Sequence, residues 1–108
     1  MSIAVPLDDL ADALAAHPWG YLLTVSADAQ ARILAVPTDF VDGRLRCVAG
    51  RSARDNVSVH PEVTMVFPPG DGTGFSLVVD GVAELHADVV VVRPTWAVLH
   101  RPALPPTA

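Results

Sequence analysis

Chemistry in this chain is most concentrated between Ala49 and Arg54, where Gly50 closes one segment, Ser52 opens another, and two of the seven arginines stand three positions apart. Free backbone N–H groups at a helix N-terminus, together with guanidinium donors, make an anion site, and a phosphate ester is a common ligand of such a site. The same residues also read as a plain helix start. Ser52 as N-cap with Asp55 three residues on is a capping-box variant, and Arg51 and Arg54 are then solvated. Asp55 would compete with a doubly charged phosphate for the same amides.

Other candidate groups carry less. His17, His60, His86 and His100 show neither the i, i+4 nor the His-x-His spacing of a metal site, so no metal is expected. The one cysteine, Cys47, alternates with Leu45 and Ala49 and reads as a small core residue. No Gly-x-Ser-x-Gly elbow surrounds any serine, which argues against an ordinary serine hydrolase. Gly70, Gly72 and Gly74 lack the Lys-Ser/Thr of a phosphate-cradling loop and precede a strand, so they read as a flexible hairpin loop over 68–74. No catalytic residue is assigned.

The elements that must position these residues are mainly strands. Leu7, Leu10 and Leu14 follow Pro6 at helical spacing and predict an N-terminal helix over 6–16. Strands are expected over 19–25 and 31–40, the second holding Pro37 at an edge or bulge because proline removes a ladder donor. Asp42-Gly43 signals a tight hairpin into a third strand, with Leu45 and Cys47 facing one way and Arg44 and Arg46 the other. A short helix from Ser52 to about His60 follows, and Pro61 opens a fourth strand with Val63, Met65 and Phe67 inward. The fifth strand places Phe75, Leu77, Val79, Ala83 and Leu85 on one side, with Asp80-Gly81 as a bulge because the alternation resumes in phase. The sixth begins at Val89, breaks at Arg93-Pro94 and ends near His100, before an extended tail over 102–108. The fold class is therefore mainly β, a six-stranded antiparallel barrel with two short helices in one domain spanning 1–108, the barrel occupying 19–101.

Composition agrees and excludes several functions. A chain of 108 residues and 11.4 kDa is one domain that buries roughly 65% of its unfolded surface. Seventeen valines against two glutamates favour strands. The net charge is −5 with no lysine, and six aromatics in all do not make a basic aromatic face, so neither nucleic acid nor an anionic membrane is an expected partner. No signal peptide or membrane span is visible and the lone cysteine suits a reducing compartment, so the expected location is the cytoplasm.

The ordered series Trp19-Gly-Tyr-Leu-Leu-Thr-Val25, Ala31-Arg-Ile-Leu-Ala-Val-Pro-Thr-Asp-Phe40, Asp42-Gly-Arg-Leu-Arg46, Gly50-Arg-Ser-Ala-Arg54, His60-Pro-Glu-Val-Thr-Met-Val-Phe67 and Gly81-Val-Ala-Glu-Leu85 resembles the pyridoxamine 5'-phosphate oxidase-like, FMN-binding split-barrel superfamily. The resemblance spans about residues 7 to 101. It implies a homodimer with FMN, or alternatively a deazaflavin coenzyme, in a groove between two barrels. The phosphate-holding stretch would be Ser52-Ala53-Arg54, with Arg54 where lysine is common and Arg51 compensating for the donor missing at Ala53. Arg32, Ile33 and Leu34 would lie beside the cofactor, and Val48 and Ala49 would add contacts. Val57 stands near a position that is often asparagine in smaller members.

The resemblance further implies a flavin- or deazaflavin-dependent oxidoreductase that moves hydride to or from a small molecule, with the cofactor carrying the chemistry. Vitamin B6 oxidation itself is not expected, because the longer C-terminal region that completes the substrate site in those oxidases would be missing after Ala108. The alternative is a non-catalytic module that binds a flavin, haem or other planar ligand on a dimeric split barrel.

Overall fold

A computed structural model describes residues 1–70 and 74–103. The Gly-rich loop expected over 68–74 falls partly outside these residues, as does the tail from 104 onward.

Among the described residues the fold has eight antiparallel strands and two α-helices: β1 (Ser2–Ala4), α1 (Leu10–Ala15), β2 (Gly20–Val25), β3 (Ala31–Val36), β4 (Thr38–Val41), β5 (Arg44–Val48), α2 (Arg51–Val59), β6 (Glu62–Phe67), β7 (Ser76–His86) and β8 (Val89–His100). The class is mainly β, but the strand count corrects the expectation of six for two reasons. Ser2–Ala4 pairs with Val98–His100 as an extra strand. The segment expected as one strand over 31–40 is divided at Pro37 into β3 and β4.

That division shapes the molecule. Strands are bonded in the order β3-β2-β6-β7-β8-β5-β4, with β1 on β8. The first and last strands of this path are the two halves of one segment, so the sheet curls until its ends meet at Pro37. Proline lacks the N–H a ladder needs, and here it marks the residue at which the chain stops pairing with β2 and starts pairing with β5.

Period-two alternation fills the interior. Leu45 and Cys47 of β5, Val63, Met65 and Phe67 of β6, and Leu77, Val79 and Ala83 of β7 are all buried, together with Val90 and Val92 of β8. Arg44 and Arg46 stay outside. Cys47 is thus a core residue, and burial pushes its thiol up to about 11. The β4–β5 turn places Asp42 at φ 52° and Gly43 at φ 74°, the left-handed pair that a two-residue hairpin requires.

The interruptions expected at Asp80-Gly81 and at Arg93-Pro94 are two sides of one bulge. Asp80 pairs with Trp96 and Gly81 with Pro94, leaving Thr95 as the extra residue. Because the inserted residue sits in β8, alternation along β7 keeps its phase. A Cβ at Gly81 would stand 2.5 Å from Val92 Cγ1 and 2.6 Å from the Arg93 carbonyl oxygen, so the close approach of the two strands requires glycine there.

The N-terminal helix expected over 6–16 is realised as a 3-10 turn over Leu7–Asp9 followed by α1. Leu10 is fully buried whereas Leu7 remains exposed, so the apolar stripe begins one turn later. His17 ties this region to the barrel: its ring nitrogens lie 2.8 Å from the Ala13 carbonyl oxygen and 3.0 Å from that of Phe75.

Candidate functional site

Helix α2 organises the site. Gly50, extended at ψ 174°, is its N-cap, and its carbonyl accepts the first helical bond from the Arg54 N–H at 3.1 Å. The expectation that Ser52 caps the helix is therefore corrected: Ser52 is the second helical residue, and no side chain caps this end. The helix packs on β7 and β2 through Ala53, Asn56 and Val57, which are buried.

Between α2 and the β2–β3 hairpin runs a groove of about 340 Å³ lined by Thr24, Ser26, Arg32, Ile33, Leu34, Ser52, Ala53 and Asn56. The register explains who meets whom. Arg32 pairs with Thr24 and Leu34 with Leu22, and Thr24 and Leu22 are buried inner-face residues of β2, so Arg32 and Leu34 share the face turned to α2. Ile33 belongs to the opposite face and is 65% exposed. Among the described residues strand β3 is bonded to β2 alone, and it is exposed from Ala31 to Ala35.

Two groove residues are absent from the expected set and hold it together. Asn56 Nδ2 donates to Thr24 Oγ1 at 3.0 Å in a buried bond that fixes α2 to β2. The position often held by asparagine lies near Val57 as a departure from the resemblance, whereas the buried asparagine here is the residue before it. Thr24 was legible as a polar residue on the inward phase of an apolar strand, and Asn56 as the residue four after Ser52, on the same helical face. At the hairpin tip the Ser26 hydroxyl donates to Asp28 Oδ1. That bond, with Asp28's own backbone N–H and the Arg32 charge, holds the Asp28 carboxyl below the usual carboxylate range.

The structure divides the candidate residues. Arg32, Ile33, Leu34 and Ser52 come together in the groove. Arg51 and Arg54 line a different cleft, with Asp55, Ser58, Leu85 and Ala87. Val48 is 58% exposed on β5 and Ala49 is buried in the core, and neither lines the groove. Among the described residues no group of three His, Cys, Asp or Glu side chains could hold a metal ion, and no helix is long and apolar enough to cross a membrane.

A curled antiparallel sheet whose ends meet at Pro37, with a helix laid over one side to leave a groove along the terminal strand, defines a split barrel. Similar solved structures include an F420 reductase (TM-score 0.67, 23% identity, covering 80% of this chain and 94% of that one). Another is an FAD-binding protein from Mesorhizobium loti (TM-score 0.69, 16% identity, 92% and 96% covered). No protein-family model matches the chain. In sequence it is 36% identical to uncharacterized protein Mb0449c of Mycobacterium bovis, the match covering 96% of this chain and 87% of that protein. The chain belongs to the family of Mb0449c, and it shares the split-barrel fold of these solved structures.

Proposed function

We propose that the groove between β3 and α2 binds a flavin-type cofactor, FMN or alternatively a deazaflavin coenzyme, and that the protein is an oxidoreductase acting on a small molecule. The observation that carries this reading is the donor set along one continuous groove. Leu34 offers apolar surface for a planar ring system, while Ser26, Ser52 and Asn56 offer neutral donors and acceptors for a polyhydroxylated chain. Arg32 supplies a permanent positive charge, and Ser52 lies in the first turn of α2, where backbone N–H groups have no helical partner. These residues fit a ligand that is flat at one end and anionic at the other. The volume matches the lower range of small-molecule sites, roughly 300–1,000 Å³.

A bound flavin or deazaflavin supplies hydride transfer. The chain's own residues orient it and exclude water: Leu34 covers one side, the Asn56–Thr24 bond keeps α2 at a fixed distance, and Arg32 neutralises charge. No side chain of the groove acts as a general acid in this reading. The working unit is a homodimer, in which a second copy covers the outer face of β3 at Ile33, and the substrate reaches the cofactor from that side.

Titration of the purified protein with FMN and with the deazaflavin coenzyme, followed by fluorescence, tests the reading. Saturable binding of one of them, weakened about tenfold or more in Arg32→Gln through loss of a charge-assisted contact, is the expected result. A folded protein that binds neither, or an Arg32→Gln variant that binds as well as the parent, overturns it. Light scattering of the same samples gives the mass, for which the expectation is two chains.

A further inference from the structure

We infer that His17 is the clasp of a proton-dependent strap. With a hydrogen on both ring nitrogens it holds α1 and the start of β7 together on the barrel, and with one hydrogen it lets α1 loosen. Nδ1 lies 2.8 Å from the Ala13 carbonyl oxygen and Nε2 3.0 Å from that of Phe75. A carbonyl oxygen only accepts, whereas a neutral imidazole has one N–H and one bare lone pair. Both contacts are therefore hydrogen bonds only in the imidazolium. Loss of a proton sets one ring lone pair against a carbonyl oxygen, in a place where His17 is 7% exposed and water cannot readily substitute.

Ala13 belongs to the last turn of α1, where carbonyls without helical partners carry the negative end of the helix dipole. Asp39 of β4 lines the cavity beside His17 with a second negative charge. Arg101 opposes them, its guanidinium 4.5 Å from the centroid of the Phe75 ring, and Asp12 of α1 is exposed. Among the described residues the facing ends of β6 and β7, at Phe67 and Phe75, bring no further charge. The clasp has something to hold. Ala11, Leu14 and Ala15 of α1 wall a cavity of about 330 Å³ whose lining includes the core residues Leu45 and Phe67. The same stretch of chain is also packed against the residues after β6: a Cβ at Gly70 would stand 2.4 Å from the Ala16 carbonyl oxygen and 3.0 Å from Pro18 Cδ. Segment 16–18 thus meets the chain both at Gly70 and at Phe75, and freeing the ring frees the α1 wall that covers this end of the core.

The inference does not rest on the flavin reading. Its test follows the ring nitrogens of His17 by nitrogen NMR from about pH 5.5 to about pH 9, a span that brackets the ordinary charge change of histidine. Amide exchange of α1 is measured on the same samples, each rate divided by its intrinsic rate at that pH. The expected result is two protonated nitrogens at the acid end and one at the alkaline end. Over the same step α1 protection should fall about tenfold or more, through loss of one charge-assisted bond in a buried place. His17→Gln has no proton to lose and should show no step, whereas His60→Gln, at the C-terminal end of α2, should keep it. A ring with one hydrogen at the acid end, a ring with two at the alkaline end, α1 protection that stays level while the ring loses its proton, or a step that persists in His17→Gln overturns the strap. The parent protein decides the first three of these outcomes even if His17→Gln does not fold.

Discussion

Replacing Asn56 by alanine tests whether one buried hydrogen bond sets the width of the groove. Thr24 is 2% exposed and Asn56 9%, so the Thr24 hydroxyl loses its donor where water cannot readily replace it. Loss of the bond and the stranding of a buried hydroxyl together cost about 2 kcal/mol. Alanine recovers roughly 0.5 kcal/mol through better helix propensity, leaving a net loss of about 1.5 kcal/mol, or a fall in Tm of roughly 6–12 °C for a domain of this size. The assay is urea denaturation of the parent, Asn56→Ala, Thr24→Val and the double variant. A coupling energy of about 1 kcal/mol is expected, because removing both polar groups removes the stranded one. Flavin affinity should fall in Asn56→Ala alongside stability. A coupling near zero, or an Asn56→Ala variant as stable as the parent, would refute the reasoning that this bond holds α2 against β2.

Three further outcomes follow from the geometry. The Cys47 thiol should resist thiol reagents at pH 8 in the native protein. Since burial raises it from 9.0 to about 11, its contribution to stability is fully present below pH 9 and lost as pH rises through 11, a decline that Cys47→Ala should flatten in a pH series of urea midpoints. Asp28 shifts the other way: its depressed value means that stabilisation of the hairpin is present above pH 3.8 and lost as pH falls through the still lower native value. Asp28→Asn should remove that acid-side slope, read from the same series. Gly81→Ala should cost roughly 1–3 kcal/mol by overpacking, because the methyl would meet a backbone carbonyl of β8 as well as Val92; an unchanged urea midpoint would contradict the tight bulge.

Much of the fold was legible because burial here follows strict alternation. Leu45 and Cys47, or Val63, Met65 and Phe67, repeat every second residue, and a pleated strand buries such a series without help from elsewhere. Strand β1 was not legible, since Ser2–Ala4 are all exposed and form a strand only through the β8 edge they pair with. Pro37 was readable as a break in pairing but not as the closure of the sheet, which depends on partners far away in sequence. The candidate site was half legible. Residue types and the strand-to-helix junction pointed to α2, yet proximity in sequence grouped Arg51, Ser52 and Arg54 as one site. A turn of 100° per residue separates them, and the helix start at Arg51 settles which face each one takes. Asn56 escaped notice because its one signal, a place four residues after Ser52 on the same helical face, gains meaning only when its partner on β2 is known.

The unpaired edge of β3 has a consequence for the protein in bulk. A terminal strand with an open ladder and exposed Ile33 and Leu34 is a template on which another chain can add strands without limit. The sequence moderates this with two devices, a charge at Arg32 in mid-strand and a proline at its end. They shorten the adhesive stretch to a few residues rather than removing it. The same strand therefore also governs colloidal behaviour: concentrated protein should self-associate first along β3, and a charge placed at Ile33 should slow that association while leaving the barrel intact.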